Sequence, residues 1–270
     1  MRVWPSARAG VLIAVVFTVL FTGLRLVLDS DFSDLSSDAA SASRAVSILG
    51  IAMIVSIVAT SILRWWRPVC CEERRLIGWM WFIPLIMLVA ILASNDYGAL
   101  AGRGLSVLLW MAVAASLVGV IEELVFRGLV LVSLRVSMSE MGAYVWSTVA
   151  FVLFHLPEIT TGAGAATAAS HASVALIGGT LLYLSRRAAG TIVVPMALHA
   201  LWSFGAFTSG GDHPLSVLAV VTGVVVFVAF VAQRRQAFRY IYISAMPSRD
   251  MSAAPSAWGN VYGSSWSARW

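Results

Sequence analysis

Apolar runs of bilayer length recur along most of the chain, and that recurrence restricts the fold more than any other feature. A helix that crosses a bilayer needs about 20 mostly apolar residues. Eight runs approach that length: Gly10–Leu28, Val46–Leu63, Leu76–Ala93, a run from Leu105 towards Arg135, Tyr144–Leu156, Ala168–Leu184, Thr191–Phe207 and Leu215–Ala232. With 60% hydrophobic and 11% charged residues and a mean hydropathy of +0.88, the chain falls outside the soluble globular range. The expected fold is all-α: a multi-pass transmembrane helical bundle of about eight spans.

The charges predict how that bundle is oriented. All 18 basic residues are arginine. They gather on alternate connections: Arg2 and Arg8, Arg64 to Arg75, Arg135, the Arg186–Arg187 pair, then Arg234, Arg235 and Arg239. The connections between carry mostly acids, such as Asp29, Asp31, Asp34 and Asp38. Positive-inside counting therefore puts both termini in the cytoplasm. The net charge of +5 is spent on this pattern, so no nucleic-acid partner is expected. A basic start before Gly10 also fits a signal peptide. The run is long for that role, however, and the nearest small-residue pattern, Ala40–Ala42, is too far downstream. It reads as an uncleaved first span.

The organisation that follows has three N-terminal spans in residues 1–104, a central segment in 105–207, a last span in 208–232, and a flexible cytoplasmic tail in 233–270. Gly178 and Gly179 suit close helix contact. The tail aromatics Trp258, Tyr262, Trp266 and Trp270 recur every four residues, but Gly259 and Gly263 argue against a stable helix. Cys70 and Cys71 are neighbours with no third cysteine to pair with, so no disulfide framework is expected.

One stretch breaks the apolar pattern. Ala115–Arg135 reads ASLVGVIEELVFRGLVLVSLR, with Glu122, Glu123 and Arg127 inside a predicted span. An ionisable group there costs several kcal/mol unless it is paired or solvated, and so marks a functional site by default. On a helix Glu123 and Arg127 are four apart on one face, where an ion pair forms. Glu122 points about 100° away and is left without that partner.

Later spans supply residues that can face it. AFVLFHLP puts Phe151 and His155 on one helix face, and PMALHALWSF does the same for His199 and Ser203. A lone histidine on an apolar helix is more often a packing residue. Two histidines and a glutamate on three membrane helices change that balance, because each needs a buried polar partner. His171 and His213 lie at a membrane edge or in a loop and read as surface residues. Two chemistries are open. Glu122, His155 and His199 suit a zinc site with a position for water. Alternatively Glu122 activates water directly, His155 shares the proton, and His199 with Ser203 stabilises an oxyanion. Both routes hydrolyse an amide. HExxH, GxSG and GxGD are all absent.

Glu122-Glu123-x-x-x-Arg127, Phe151-x-x-x-His155 and His199-x-x-x-Ser203 together resemble the ordered motifs of the CPBP family, also called the ABI or CAAX-protease-like family of intramembrane endopeptidases. The resemblance spans about Leu105–Phe207. It implies a water-activating Glu122 with His155 as partner, structural or electrostatic roles for Glu123 and Arg127, and an oxyanion role for His199. It implies a membrane-embedded or membrane-tethered peptide substrate and a bacterial plasma membrane, and leaves open a divalent metal such as zinc. The family's last motif usually ends in Asn, where this chain has Ser203, and a hydroxyl offers a single rotatable donor. The rival expectations are an inactive relative serving as scaffold or bacteriocin self-immunity protein, and a transporter. Counted along ideal spans, Glu122 lies about 25 Å from the outer start of its helix, whereas His155 lies near the outer end of its own, so the two are expected at different heights.

Overall fold

The computed structural model describes residues 4–28, 39–72, 78–157, 164–208 and 223. Among the described residues the chain is helical, with one isolated backbone bridge from Cys71 to Thr191 and no strand. Helix α1 (Ala7–Val27) starts on Ser6, whose side chain accepts from the Ala9 N–H. It is followed by α2 (Ala39–Leu63), the short α3 (Trp66–Cys70), α4 (Phe82–Ser94) and α5 (Tyr97–Ala101). Next comes a continuous rod: α6 (Leu105–Glu122), a π-helix (Glu123–Val130) and α7 (Leu131–Arg135). The described part closes with α8 (Glu140–His155), α9 (Gly164–Ala189) and α10 (Val193–Thr208).

Three of these elements are long and apolar enough to cross a bilayer: α1, most of α2, and the rod from Leu105 to Arg135; α4 and α10 are shorter apolar helices. Outward side chains on the first two are apolar too, with Val19 66% and Ile62 68% exposed. Such continuous apolar exposure suits lipid, not water. The expected span Leu215–Ala232 (residue 223 apart), the acids Asp29 to Asp38 and the tail with its tryptophans lie outside the described residues.

Contacts between chain-distant residues define the two ends of the bundle. At one end Ala7 N donates to Ser137 Oγ, and Arg135 grips Glu140 through both carboxylate oxygens, at 2.6–3.1 Å. At the other, Arg103 Nη2 donates to the Thr208 carbonyl at 3.0 Å. This frame resolves the difference in height expected from the sequence. Glu122 lies 13 residues from Arg135 along the rod, His155 lies 15 residues from Glu140 along α8, and the two line one cavity. Counting from Leu105 misplaced them because the 31-residue rod is longer than a bilayer core of about 30 Å requires.

The arginines taken as loop markers are not simply loop residues. Arg186 and Arg187 are 0% and 2% exposed. With Arg135 they surround two carboxylates: Arg187 Nη1 is 2.5 Å from Glu140 Oε1, and Arg135 Nη2 is 2.8 Å from Glu72 Oε2. Tyr183 Oη also donates to Glu140 at 2.7 Å. Burial pushes the Glu140 carboxyl up, but Arg135 and Arg187 outweigh it and hold the group at about 2.

Close backbone approach sets the position of α10 against α6. A Cβ on Gly119 would lie 2.6 Å from both Ala200 N and Met196 O, so only glycine fits. In the adjacent glycine pair on α9, a Cβ on Gly179 would lie 2.8 Å from Arg127 Nη2, whereas a Cβ on Gly178 would meet nothing within 4 Å.

Candidate active site

The acidic pair sits where the rod changes character. The spacing predicts an α-helix through Glu122–Arg127, but from Glu123 to Val130 the hydrogen bonds return five residues instead of four, and the turn is wider. The pairing expected from the spacing is still made: Arg127 Nη1 donates to Glu123 Oε1 at 2.8 Å, with both side chains nearly solvent-free. The guanidinium also lies over the Phe151 ring, 3.9 Å from its centroid. A Cβ at Gly179 would lie 2.8 Å from Arg127 Nη2, so a bare α9 backbone is what makes room for the arginine.

His199 occupies a place that periodicity did not foresee. Its Nδ1 is 3.1 Å from Glu123 Oε1 and its Nε2 is 3.5 Å from Glu122 Oε2. The imidazole therefore bridges the two carboxylates. Glu123 Oε1, already held by Arg127, faces the His199 Nδ1 and is placed to accept from it. The Nε2 edge faces Glu122 Oε2 without a hydrogen bond between them, so Glu122 has an imidazole neighbour but keeps that oxygen unbonded.

His155 is oriented differently. Its Nδ1 is 2.9 Å from the Phe151 carbonyl, which can only accept, so Nδ1 is the donor and Nε2 is the nitrogen outside that bond. Ser203 is buried one turn beyond His199. Glu122, Phe151, His155, His199 and Ser203 all line one cavity of about 260 Å³. It runs from Glu122 past the last turns of α1, α8 and α10, away from the Arg135–Glu140 end. Its floor is aromatic: Phe126 packs on Phe151 and Phe154 at 5.2 and 5.3 Å, and Phe21 on Phe154 at 5.3 Å.

The sequence reading missed two cavity residues, Arg25 and His171. Arg25 is a charge inside the first apolar run, which was a usable signal. His171, taken as a surface residue, is exposed at the cavity lining on α9. No local signal distinguishes it.

Glu122, His155 and His199 are the donors a zinc site would use, and the Nδ1 partners of both histidines are of the kind that orient metal ligands. Yet among the described residues no three His, Cys, Asp or Glu side chains form a group that could hold an ion. As arranged, these residues do not fit a metal, and the chemistry available to them is that of a carboxylate, two imidazoles and a hydroxyl facing an apolar chamber.

A family model described as "Type II CAAX prenyl endopeptidase Rce1-like" matches residues 104–205, from the start of α6 to the last turn of α10. That segment contains Glu122, Glu123, Arg127, His155, His199 and Ser203, and the match agrees with the resemblance drawn from the three motifs. No curated protein and no solved structure matches the chain.

Proposed function

We propose that this chain, through its CAAX-protease-family segment, is an intramembrane endopeptidase in which Glu122 activates water for attack on a peptide carbonyl. The observation that supports this most is the shared cavity: a carboxylate, the open Nε2 of one histidine and the Nε2 edge of another meet in an apolar chamber. Glu122 Oε2 is buried without a protein hydrogen-bond partner among the described residues, as suits a group whose partner is water or substrate.

In this reading Glu122 takes a proton from water as the oxygen bonds to the carbonyl carbon. The C=O electron pair moves onto oxygen, and the Nε2–H of His199 stabilises the oxyanion, with Ser203 Oγ as a second donor. Glu123 and Arg127 hold His199 in place and balance its positive charge. When the tetrahedral intermediate collapses, the C–N bond breaks and the proton from water passes to the leaving amine, with His155 Nε2 as the relay. The step needs no metal. The substrate is a peptide embedded in or tethered to the membrane, and the name of the matched family points to prenylated C-terminal peptides. The enzyme then resides in a bacterial plasma membrane with both termini cytoplasmic.

Purified protein in detergent, given a fluorogenic prenylated peptide, tests the reading. Hydrolysis in wild type, lost in Glu122→Gln and unchanged by a chelator, supports it. Chelator-sensitive hydrolysis restores the metal route. No hydrolysis of any prenylated or transmembrane peptide leaves the scaffold or transporter reading.

A further inference from the structure

We propose that Arg186 is a positioning residue for the reaction, holding the π-turn whose register aims Glu122 and Glu123 at His199. The inference rests on the proteolytic reading of the site above and adds to it a residue that contacts neither carboxylate.

The argument begins with the helix ladder. The Leu131 N–H is shared between the Phe126 carbonyl, five residues back, and the Gly128 carbonyl, three back. The Arg127 carbonyl lies between those two, and a buried carbonyl needs a donor. The Arg186 Nη1 donates to it. Arg186 Nη2 donates to the Pro68 carbonyl at 2.9 Å, and its Nε lies 3.6 Å from Glu72 Oε2. One planar fork thus joins the wide turn to the segment after α2, a geometry that a lysine cannot reproduce.

The same segment holds the other side of the turn. Val69 packs so closely on Gly128 that a Cβ there would lie 2.8 Å from its Cγ1. Trp65, Val69, Leu124, Leu129, Val132 and Ile192 make one buried cluster around it. The wide turn is therefore clamped by Val69 at Gly128 and by Arg186 at Arg127. Arg127 in turn sets Glu123, and Glu123 Oε1 receives His199. Taking a guanidinium fully out of water is costly unless its donors are met. A topological signal needs only a charge at the membrane edge and does not account for that burial.

The test compares Arg186→Lys, Arg186→Gln and Glu72→Gln with Ile48→Ala, a truncation at a fully buried α2 residue outside the cluster that packs on the turn. Each protein is measured for thermal stability, for turnover of the fluorogenic peptide, and for the ¹⁵N signals of labelled histidines. Arg186→Lys should lower kcat about 10- to 100-fold while KM stays within about twofold, and should move the His199 Nδ1 signal but not that of His155. Glu72→Gln should act in the same direction and more weakly, and it carries the test if the Arg186 variants do not fold. Ile48→Ala should lower the melting temperature and leave kcat and both signals unchanged. An Arg186→Lys protein with wild-type kcat and an unmoved His199 signal overturns the proposal. So does an equal loss of kcat in Ile48→Ala at matched stability. If wild type hydrolyses nothing, the proteolytic reading falls, and the His199 signal alone still decides whether Arg186 sets the turn.

Discussion

His199 Nδ1 lies 3.1 Å from Glu123 Oε1, the same oxygen that Arg127 reaches at 2.8 Å. Glu123 therefore joins α10 to the central rod and orients the imidazole whose other nitrogen faces Glu122. The two adjacent glutamates are placed differently: Glu123 meets this pair of contacts, and Glu122 lines the cavity.

We predict that the two separate on mutation. Glu122→Gln keeps shape and removes the base, so kcat should fall about 10²- to 10⁴-fold with expression intact. Glu123→Gln leaves an amide oxygen for Arg127 and His199, and should cost about tenfold together with a lower melting temperature. Turnover and thermal unfolding measured on both variants check this. Equal, mild effects would contradict the division of roles.

A second prediction concerns the hydroxyl at 203. A well-placed oxyanion donor is worth about 10²- to 10³-fold in rate. His199→Ala should lose at least that, since it removes a donor and leaves Glu123 with one partner fewer. Ser203→Ala should lower kcat less, and Ser203→Asn should raise it with little change in KM. If Ser203→Ala matches wild type while His199→Ala is dead, the serine only packs.

Gly119 offers a purely geometric test. Alanine there would push α6 off Ala200 and Met196 and carry Glu122 away from His199. A displacement of about 1 Å can cost on the order of 100-fold in rate. Gly119→Ala should show that loss, whereas Gly50→Ala, where a Cβ meets nothing within 4 Å, should keep full activity and be no less stable. Steady-state kinetics on the two variants decide it.

The Glu140 cluster predicts a pH dependence. Its carboxyl is held at about 2, below the ordinary 4.5, so it stabilises the fold above pH 4.5 and that contribution fades as pH falls towards 2. The shift corresponds to about 3 kcal/mol. Glu140→Gln should therefore be markedly less stable than wild type at pH 7, with the gap narrowing below pH 4. Unfolding in detergent between pH 2 and 7 measures it. A gap independent of pH would show that packing, not charge, is lost.

What the sequence determined by itself follows from short-range rules. Hydropathy over about 20 residues marks helices that must lie in lipid, and α1, α2 and the Leu105–Arg135 rod are where it puts them. The Glu123–Arg127 pair could be read because a four-residue interval closes on one face even where the turn widens. The likeness to the CAAX proteases was legible for the same reason, since each motif is a pair four apart on its own helix. Other features needed the tertiary structure. His199 stands 76 residues from Glu123, and Arg186 stands 59 from the carbonyl it satisfies. No pattern within one helix says which distant side chain will meet a given face. The π-turn is of this kind: little in ELVFRGLV announces it, and contacts with Val69 and Arg186 surround it. Arg186 and Arg187 show the limit most plainly. A charge at the end of an apolar run reads as a membrane-edge marker, and only the packing of α9 against the rod buries it and turns it into a brace. Helix identity is written in neighbours along the chain, but the site depends on neighbours in space, where a buried donor takes whichever acceptor the packing brings to it.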